Sequence, residues 1–230
     1  MSRLTRLFLL FVATCAPLLA QNGDKAGEAQ PPPRSDWIIP PAPALRPEDE
    51  ARSFKVAPGF HVELVASDPL VHDPVALTFG PDGRVWVVEM ADYMQDIEGR
   101  NADEHNGRIV VLADTDGDGR MDKRTVFLDG LELPRAVSLV DDGVLVIEPP
   151  HLWFVRDTDG DGAADSKVEV AGDFGTRANI EYLPNGLLWS IDNWIYNASL
   201  SLTAAGNRTL RFRYEGNGKF AREVTITRGQ

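Results

Sequence analysis

An all-β fold assembled from repeated four-stranded units is predicted by three features of this 230-residue chain. An acidic motif occurs twice, as Asp114-Thr-Asp116-Gly-Asp118-Gly-Arg-Met-Asp122 and as Asp157-Thr-Asp159-Gly-Asp161-Gly-Ala-Ala-Asp165, with first aspartates 43 residues apart. That interval is about the length of one propeller blade. A strand, a tight Gly-bearing turn and a second strand recur three times, at Asp82-Gly83, Asp142-Gly143 and Asn185-Gly186. Asp-Gly and Asn-Gly between apolar runs favour hairpins, because both turn positions of the preferred type need positive φ. A second hairpin follows each copy, and two hairpins give the four strands of a blade.

Taken in order, residues 1–20 read as a secretory signal. Arg3 and Arg6 precede the apolar run of residues 7–20, which is too short to span a bilayer comfortably and ends on the small residue Ala20. The expected location is periplasmic or secreted. Cys15 is the sole cysteine. As a lipid-attachment residue it would follow Val12-Ala13-Thr14, a poor fit, so lipoprotein anchoring is the weaker reading. Cleavage near Ala20 would leave no thiol for a disulfide, a Cys-based zinc site or covalent haem attachment. Residues 21–52 form a linker, with Gln30-Pro-Pro-Pro33 and Pro40-Pro-Ala-Pro43 favouring extended chain and a short helical turn near Glu48 to Arg52.

From residue 53 onward strand signals dominate. His61-Val-Glu-Leu-Val65 alternates. In the first unit, Ala76-Leu-Thr-Phe79 and Val85-Trp-Val-Val88 flank the first turn, and Arg108-Ile-Val-Val-Leu112 runs through the first acidic loop to Arg124-Thr-Val-Phe127. The second repeats this, with Leu152-Trp-Phe-Val155 and Lys167-Val-Glu-Val170 around the second loop. In the third, residues 180–189 turn at Asn185-Gly186, and the outer hairpin turns at Glu215-Gly-Asn217-Gly218 without an acidic loop. Three units are fewer than the four to eight blades that close a propeller. The expectation is an incomplete β-propeller over residues 53–230, either the N-terminal part of a longer protein or a truncated reading frame.

The formal net charge of −12 argues against nucleic acid or an anionic membrane surface as the main partner. Eight of the acids stand in the two loops, where they repel one another unless a hard cation lies among them. An EF-hand needs a Glu at position twelve and flanking helices. Position twelve is Thr125 or Val168, and the flanks read as strands. A nine-residue hairpin loop fits better, with side-chain ligands at positions 1, 3, 5 and 9 and a carbonyl at position 7. The expected Ca²⁺ ligands are Asp114, Asp116, Asp118 and Asp122 with the Arg120 carbonyl, and Asp157, Asp159, Asp161 and Asp165 with the Ala163 carbonyl. The competing reading is a solvated Asp-Gly turn.

Other candidates are less specific. The insertion over residues 90–107 holds Asp92, Tyr93, Asp96, Glu98, Asp103, Glu104 and His105, and either lines the mouth of a channel or is a polar surface excursion. Arg135 and Arg177 precede inner hairpins and either converge on an anion or are solvated. Trp194 and Tyr196 read as core rather than ligand contacts. Asn197-Ala-Ser199 and Asn207-Arg-Thr209 are glycosylation sequons of low specificity. There is no G-x-S-x-G, H-E-x-x-H, Walker loop or dinucleotide fingerprint.

The order of Pro58-Gly-Phe60-His-Val-Glu-Leu-Val65, Asp68-Pro69, Pro74-Val-Ala-Leu-Thr-Phe79-Gly-Pro-Asp-Gly-Arg-Val-Trp-Val-Val-Glu89, the paired acidic loops, Asn185-Gly-Leu-Leu-Trp189 and Asp192-Asn-Trp-Ile-Tyr196 resembles a known family. It is similar to the N-terminal propeller of the membrane-bound dehydrogenases of planctomycete and verrucomicrobial bacteria, which are similar to glucose/sorbosone dehydrogenases. The resemblance implies an exported propeller that oxidises a carbohydrate-like alcohol or aldehyde, with pyrroloquinoline quinone or haem as cofactor in the full-length protein. It also implies a downstream c-type cytochrome domain carrying C-x-x-C-H. Two departures stand against it. Asn179-Ile-Glu181-Tyr182 lacks the histidine base of the soluble sugar dehydrogenases, and C-x-x-C-H is missing from the 230 residues. No catalytic residue is carried over, although Glu181 has the chemistry of a base. The alternative is a non-catalytic, calcium-stabilised propeller binding polysaccharide or a partner protein.

Overall fold

The computed structural model describes residues 43–93, 95, 100–101, 103–174, 183–198 and 209–225. The signal segment, most of the linker and the sequon residues Ser199 and Asn207 lie outside them.

One short helix, α1 (Pro47–Ser53), precedes the sheets, where the sequence predicts a helical turn. Pro47 occupies its first turn, Glu48, Asp49 and Glu50 lie at its positive end and Arg52 at its negative end, as helix ends favour. It buries no residue.

Among the described residues twelve strands follow, in three antiparallel four-stranded sheets. Blade 1 is β1 (Pro74–Phe79), β2 (Val85–Glu89), β3 (Gly107–Ala113) and β4 (Lys123–Leu131). Blade 2 is β5 (Ala136–Val140), β6 (Gly143–Glu148), β7 (His151–Arg156) and β8 (Ser166–Ala171). Blade 3 is β9 (Asn185–Trp189), β10 (Ile195–Ala198), β11 (Thr209–Gly216) and β12 (Lys219–Thr225). Each sheet is a meander in sequence order. The first strands of successive blades lie side by side, β1 against β5 and β5 against β9. This is the blade-like arrangement the repeat predicts. In such a meander the first-to-second and third-to-fourth turns emerge at one end. The second-to-third and blade-to-blade connections emerge at the other.

The middle strands are apolar on both faces because both faces are covered. Every residue of β2 is buried, as are five of the six in β6. Trp86, Val88, Ile109, Val111 and Phe127 of blade 1 pack against Val137, Val144, Val146 and Val155 of blade 2. The other face of blade 2, with Leu145, Ile147, Leu152 and Phe154, packs against Ile195, Leu210 and Phe212 of blade 3. Val85, Val87, Val110 and Leu112 face the chain before β1, at Ala66, Leu70 and Val71.

Two turn expectations are corrected. Gly143 is not in the positive-φ region. It serves close approach instead, since a Cβ there would lie 2.6 Å from the Phe154 ring and 2.7 Å from Arg156. The third inner hairpin does not turn at Asn185-Gly186, which opens β9. It turns at residues 190–194, where Ser190 N–H donates to Trp194 O at 2.9 Å and Asn193 N–H to Ser190 O at 3.1 Å. Blade 1 turns identically, with Gly80 N–H to Arg84 O at 2.8 Å and Gly83 N–H to Gly80 O at 3.1 Å. Asn193, at φ 64°, takes the place of Gly83, at φ 83°. The Asp192 carboxylate accepts from Trp194 N as Asp82 does from Arg84 N, so an Asx turn outcompetes the Asn-Gly pair. The strand signal at His61–Val65 also differs in outcome: these residues belong to no sheet.

Leu145 is fully buried between blades 2 and 3. Leu145→Ala is expected to cost about 2–5 kcal/mol, measured as a lower urea midpoint with unchanged m-value. A shift below about 1 kcal/mol would mean that the two blades do not share a core.

Candidate metal loops

The acidic motifs join β3 to β4 and β7 to β8, at the same end of their blades. Their backbones fold alike. The Asp114 carboxylate accepts from Gly117 N at 2.7 Å and Gly119 N at 2.9 Å. Asp157 accepts from Gly160 N at 2.6 Å and Gly162 N at 2.9 Å. The Gly119 amide, then that of Gly117, holds the Asp114 carboxyl below the usual aspartate range. Gly162 and Gly160 do the same for Asp157. At the ninth position Asp122 accepts from Thr115 Oγ1, and Asp165 from Thr158 Oγ1, both at 2.7 Å.

Each loop gathers carboxylates. One oxygen from each of Asp114, Asp116 and Asp122 lies within 4.8 Å of the others, and the same holds for Asp157, Asp159 and Asp165. Asp118 and Asp161 stand outside these groups, each accepting from the amide two residues on, at Arg120 and Ala163, at 2.8 Å. Arg120 and Ala163 hold the seventh place. Such exposed oxygen-only sets suit hard cations rather than thiophilic metals.

The eighth residue of each loop reaches outside its own sheet. Ala164 N–H donates to Phe127 O of blade 1 at 2.7 Å, and Met121 N–H to Val65 O at 2.9 Å. Thr125 of β4 also lies under the second loop, with its Cγ2 3.3 Å from a Cβ position on Gly162. Each loop therefore ties its blade to the chain before it. In blade 3 the Glu215-to-Gly218 turn replaces the acidic loop, and side chains make the link. The Tyr214 hydroxyl donates to Asp142 in the β5–β6 turn, and Arg222 grips Asp173 through two bonds of 2.7 and 3.0 Å. A cleft of about 740 Å³ opens between blades 1 and 2, lined by Trp86, Lys123, Asp142, Asp157, Asp161 and Trp189 among others.

Two buried acids carry structural weight that the sequence reading passes over. Glu89 ends β2 and accepts from Arg124 Nη2 at 2.8 Å and from His72 N at 3.0 Å. Glu148 ends β6 and accepts from Lys167 Nζ at 2.9 Å, Trp153 Nε1 at 2.7 Å and Glu132 N at 2.8 Å. Arg124 and Lys167 stand at the same offset from their loops. The signal was legible as an acid closing an otherwise apolar strand in both Val85-Trp-Val-Val-Glu89 and Val144-Leu-Val-Ile-Glu148.

In the insertion, Asp92 is buried and accepts from Asn106 N at 2.6 Å and Asn106 Nδ2 at 2.8 Å, closing the loop on itself. His105 lies 3.5 Å from the Glu132 carboxylate. Arg135 is half-buried, and loss of water lowers its pKa, partly offset by Tyr93 nearby. Asp96, Glu98, Arg177 and the Asn179-to-Tyr182 stretch lie outside the described residues. Trp194 is buried, with the Arg211 and Arg213 guanidiniums 4.2 and 4.7 Å from its ring centroid, which matches the core expectation. Tyr196 is half-buried, its hydroxyl donating to Asp192 at 2.7 Å.

The family model described as a domain of unknown function, DUF7133, matches residues 46–227, and the chain belongs to that family. No curated protein matches the chain.

The Asp142 carboxyl is held below the ordinary aspartate range chiefly by the Tyr214 hydroxyl, with Arg156 helping. A group depressed on folding stabilises above its unfolded pKa, about 4, and loses that contribution as pH falls through the depressed value. The stability gap between wild type and Asp142→Asn should therefore narrow as pH is lowered below about 4. Urea midpoints across pH 2–7 check this, and a gap constant with pH would refute it.

Proposed function

We propose that this chain is a calcium-binding propeller module in which one Ca²⁺ per acidic loop stiffens the outer turn of blades 1 and 2. The observation carrying this reading is the recurrence, in two separate blades, of three carboxylates within 4.8 Å on the same hydrogen-bonded loop. A single acidic turn arises readily by chance. Two copies with matched amide, hydroxyl and eighth-position bonds indicate a function of the loop itself. Asp114, Asp116 and Asp122 would hold one ion and Asp157, Asp159 and Asp165 the other. The fifth-position aspartates and the carbonyls of Arg120 and Ala163 would approach on binding, since calcium takes about six to eight oxygens. The ion's chemistry is charge neutralisation and cross-linking of the turn. Because the eighth residue bonds to the preceding element, ordering the loop also steadies the seam between blades.

A second reading concerns the wheel as a whole. The motif order from Pro58 through Tyr196 supports an exported dehydrogenase of the glucose/sorbosone type, acting on a carbohydrate-like substrate and passing electrons to a quinone or to c-type haem. Location through a signal at residues 1–20 belongs to the same reading. A non-catalytic module holding polysaccharide or a partner protein is its rival. Dye reduction by full-length protein given Ca²⁺, pyrroloquinoline quinone and a panel of sugars is the expected outcome for the enzyme. No turnover on any sugar, with glycan binding retained, would establish the rival.

For calcium, metal analysis after dialysis against Ca²⁺ should return two ions per chain, and one for Asp114→Ala or Asp157→Ala. Ca²⁺ at a hundredfold its Kd adds about 2.7 kcal/mol per site, or roughly 5–10 °C in Tm for a chain of this size. Unchanged Tm on adding chelator, with no bound metal, would overturn the proposal.

A further inference from the structure

Asn185-Gly186 forms no turn, yet it keeps a chemical reactivity that the fold sharpens. Tyr196 pairs with Leu188 and Ala198 with Asn185, so β10 advances two residues where β9 advances three. The surplus residue makes a bulge, and Gly186, at φ 71°, takes the left-handed conformation that such bulges reserve for glycine. The Gly186 N–H donates to Asn185 Oδ1 at 2.8 Å. That bond sets the Gly186 nitrogen beside the carbonyl carbon of the Asn185 side chain. A Cβ added at Gly186 would meet nothing within 4 Å, and Asn185 is exposed, so water reaches the pair.

Among the described residues Asn-Gly occurs twice more, and both other copies are tied down. The Asn106 carboxamide donates to Asp92 at 2.8 Å, and Gly107 is so closely packed that a Cβ there would lie 2.4 Å from Pro134. At Asn217 the attacking group itself is engaged, because Gly218 N–H donates to the Tyr214 hydroxyl at 3.1 Å. The match to Asn185 is an acid instead. Gly130, at φ 70° in a bulge of β4, donates its N–H to Asp129 Oδ1 at 2.8 Å. Asp129 has no amide to expel, and Arg108 Nε donates to its carboxylate at 3.0 Å.

We propose that Asn185 is a site of spontaneous deamidation selected by this bulge, and that its isoaspartyl product loosens blade 3 from blade 2. The Gly186 nitrogen bonds to Asn185 Cγ and the Cγ–Nδ2 bond breaks. The carboxamide nitrogen leaves as ammonia, taking the proton that the Gly186 amide gives up. Water then opens the cyclic imide, at one carbonyl to aspartate and at the other to isoaspartate. Isoaspartate carries the chain through Cβ and turns the main-chain carbonyl of residue 185 into a pendant carboxylate. The buried Asn197 side chain spans that joint, its Nδ2 donating to Asn185 O at 3.2 Å and to Gly186 O at 3.4 Å. Rerouting the chain there parts the two acceptors from a donor that water does not reach. The same strand carries a link to blade 2, since Trp189 Nε1 donates to Leu139 O at 2.9 Å. None of this depends on a cation in either loop.

Peptide mapping by mass spectrometry on the full chain, aged at neutral pH, tests both parts. Conversion at Asn185 should run about tenfold or more faster than at Asn106 or Asn217, where a hydrogen bond must break first. A protein isoaspartyl methyltransferase should label the same site, and Asn185→Gln should remove that label. Asp129→Asn, which puts a carboxamide into the matching bulge, should convert within about tenfold of Asn185. The isoaspartyl form, purified by chromatography, should melt about 2–4 °C below Asn185→Asp, which carries the same charge on an unaltered main chain. Asn185 intact in the folded chain while a peptide of residues 183–189 converts overturns the site. Resistance of Asp129→Asn overturns selection by the bulge, and equal melting of the isoaspartyl form and Asn185→Asp overturns the loosening of blade 3.

Discussion

Sheets that are apolar on both sides must be covered on both sides, and that requirement organises the molecule. Burying apolar surface contributes about 25 cal/mol per Å², so exposing either face of a blade would cost more than any single polar contact returns. Blade 2 meets the condition with blade 1 on one face and blade 3 on the other. Blade 1 meets it on its outer face only because residues 66–71 fold back over Val85, Val87, Val110 and Leu112. Among the described residues the buried carboxylates, Glu89, Asp92, Glu132 and Glu148, all lie at strand ends or in the connections.

The seams between blades are held by three devices rather than one. The acidic loops use a backbone amide at a fixed loop position. Blade 3, lacking the loop, substitutes the Tyr214 hydroxyl on Asp142 and the Arg222–Asp173 pair. At the opposite end of blades 1 and 2, Glu89 and Glu148 each draw together a cation from the fourth strand and an amide from the preceding chain. A buried carboxylate is tolerated there because its lone pairs are filled.

Much of this was legible in the sequence because repetition multiplies weak signals. The 43-residue interval, the Asp-Gly turns and the uninterrupted apolar runs of β2 and β6 define the four-stranded unit before any coordinates. The third inner turn was misplaced because Asn185-Gly186 is the stronger local hairpin signal. Ser190-Ile-Asp192-Asn193-Trp194 carries the same turn geometry as Gly80-Pro-Asp82-Gly83-Arg84 in different letters, and the register of β9 on β10 decided the outcome. His61–Val65 shows the converse. Its alternation reports strand propensity, but strand formation needs a neighbour, which no local pattern encodes. The loop aspartates were legible as a set. Which three converge depends on the bonds that hold Asp118 and Asp161 to their own backbone.

The meander topology also decides where the loop charge gathers. Both acidic loops leave their blades at the end that carries Asp82, Asp142 and Asp192 in the first-to-second turns. Eight loop aspartates therefore stand along one rim, close enough for their fields to add within a Debye length. Filling the loops with two divalent ions would return four positive charges to that rim, so its approach to any charged surface would depend on the cation supply.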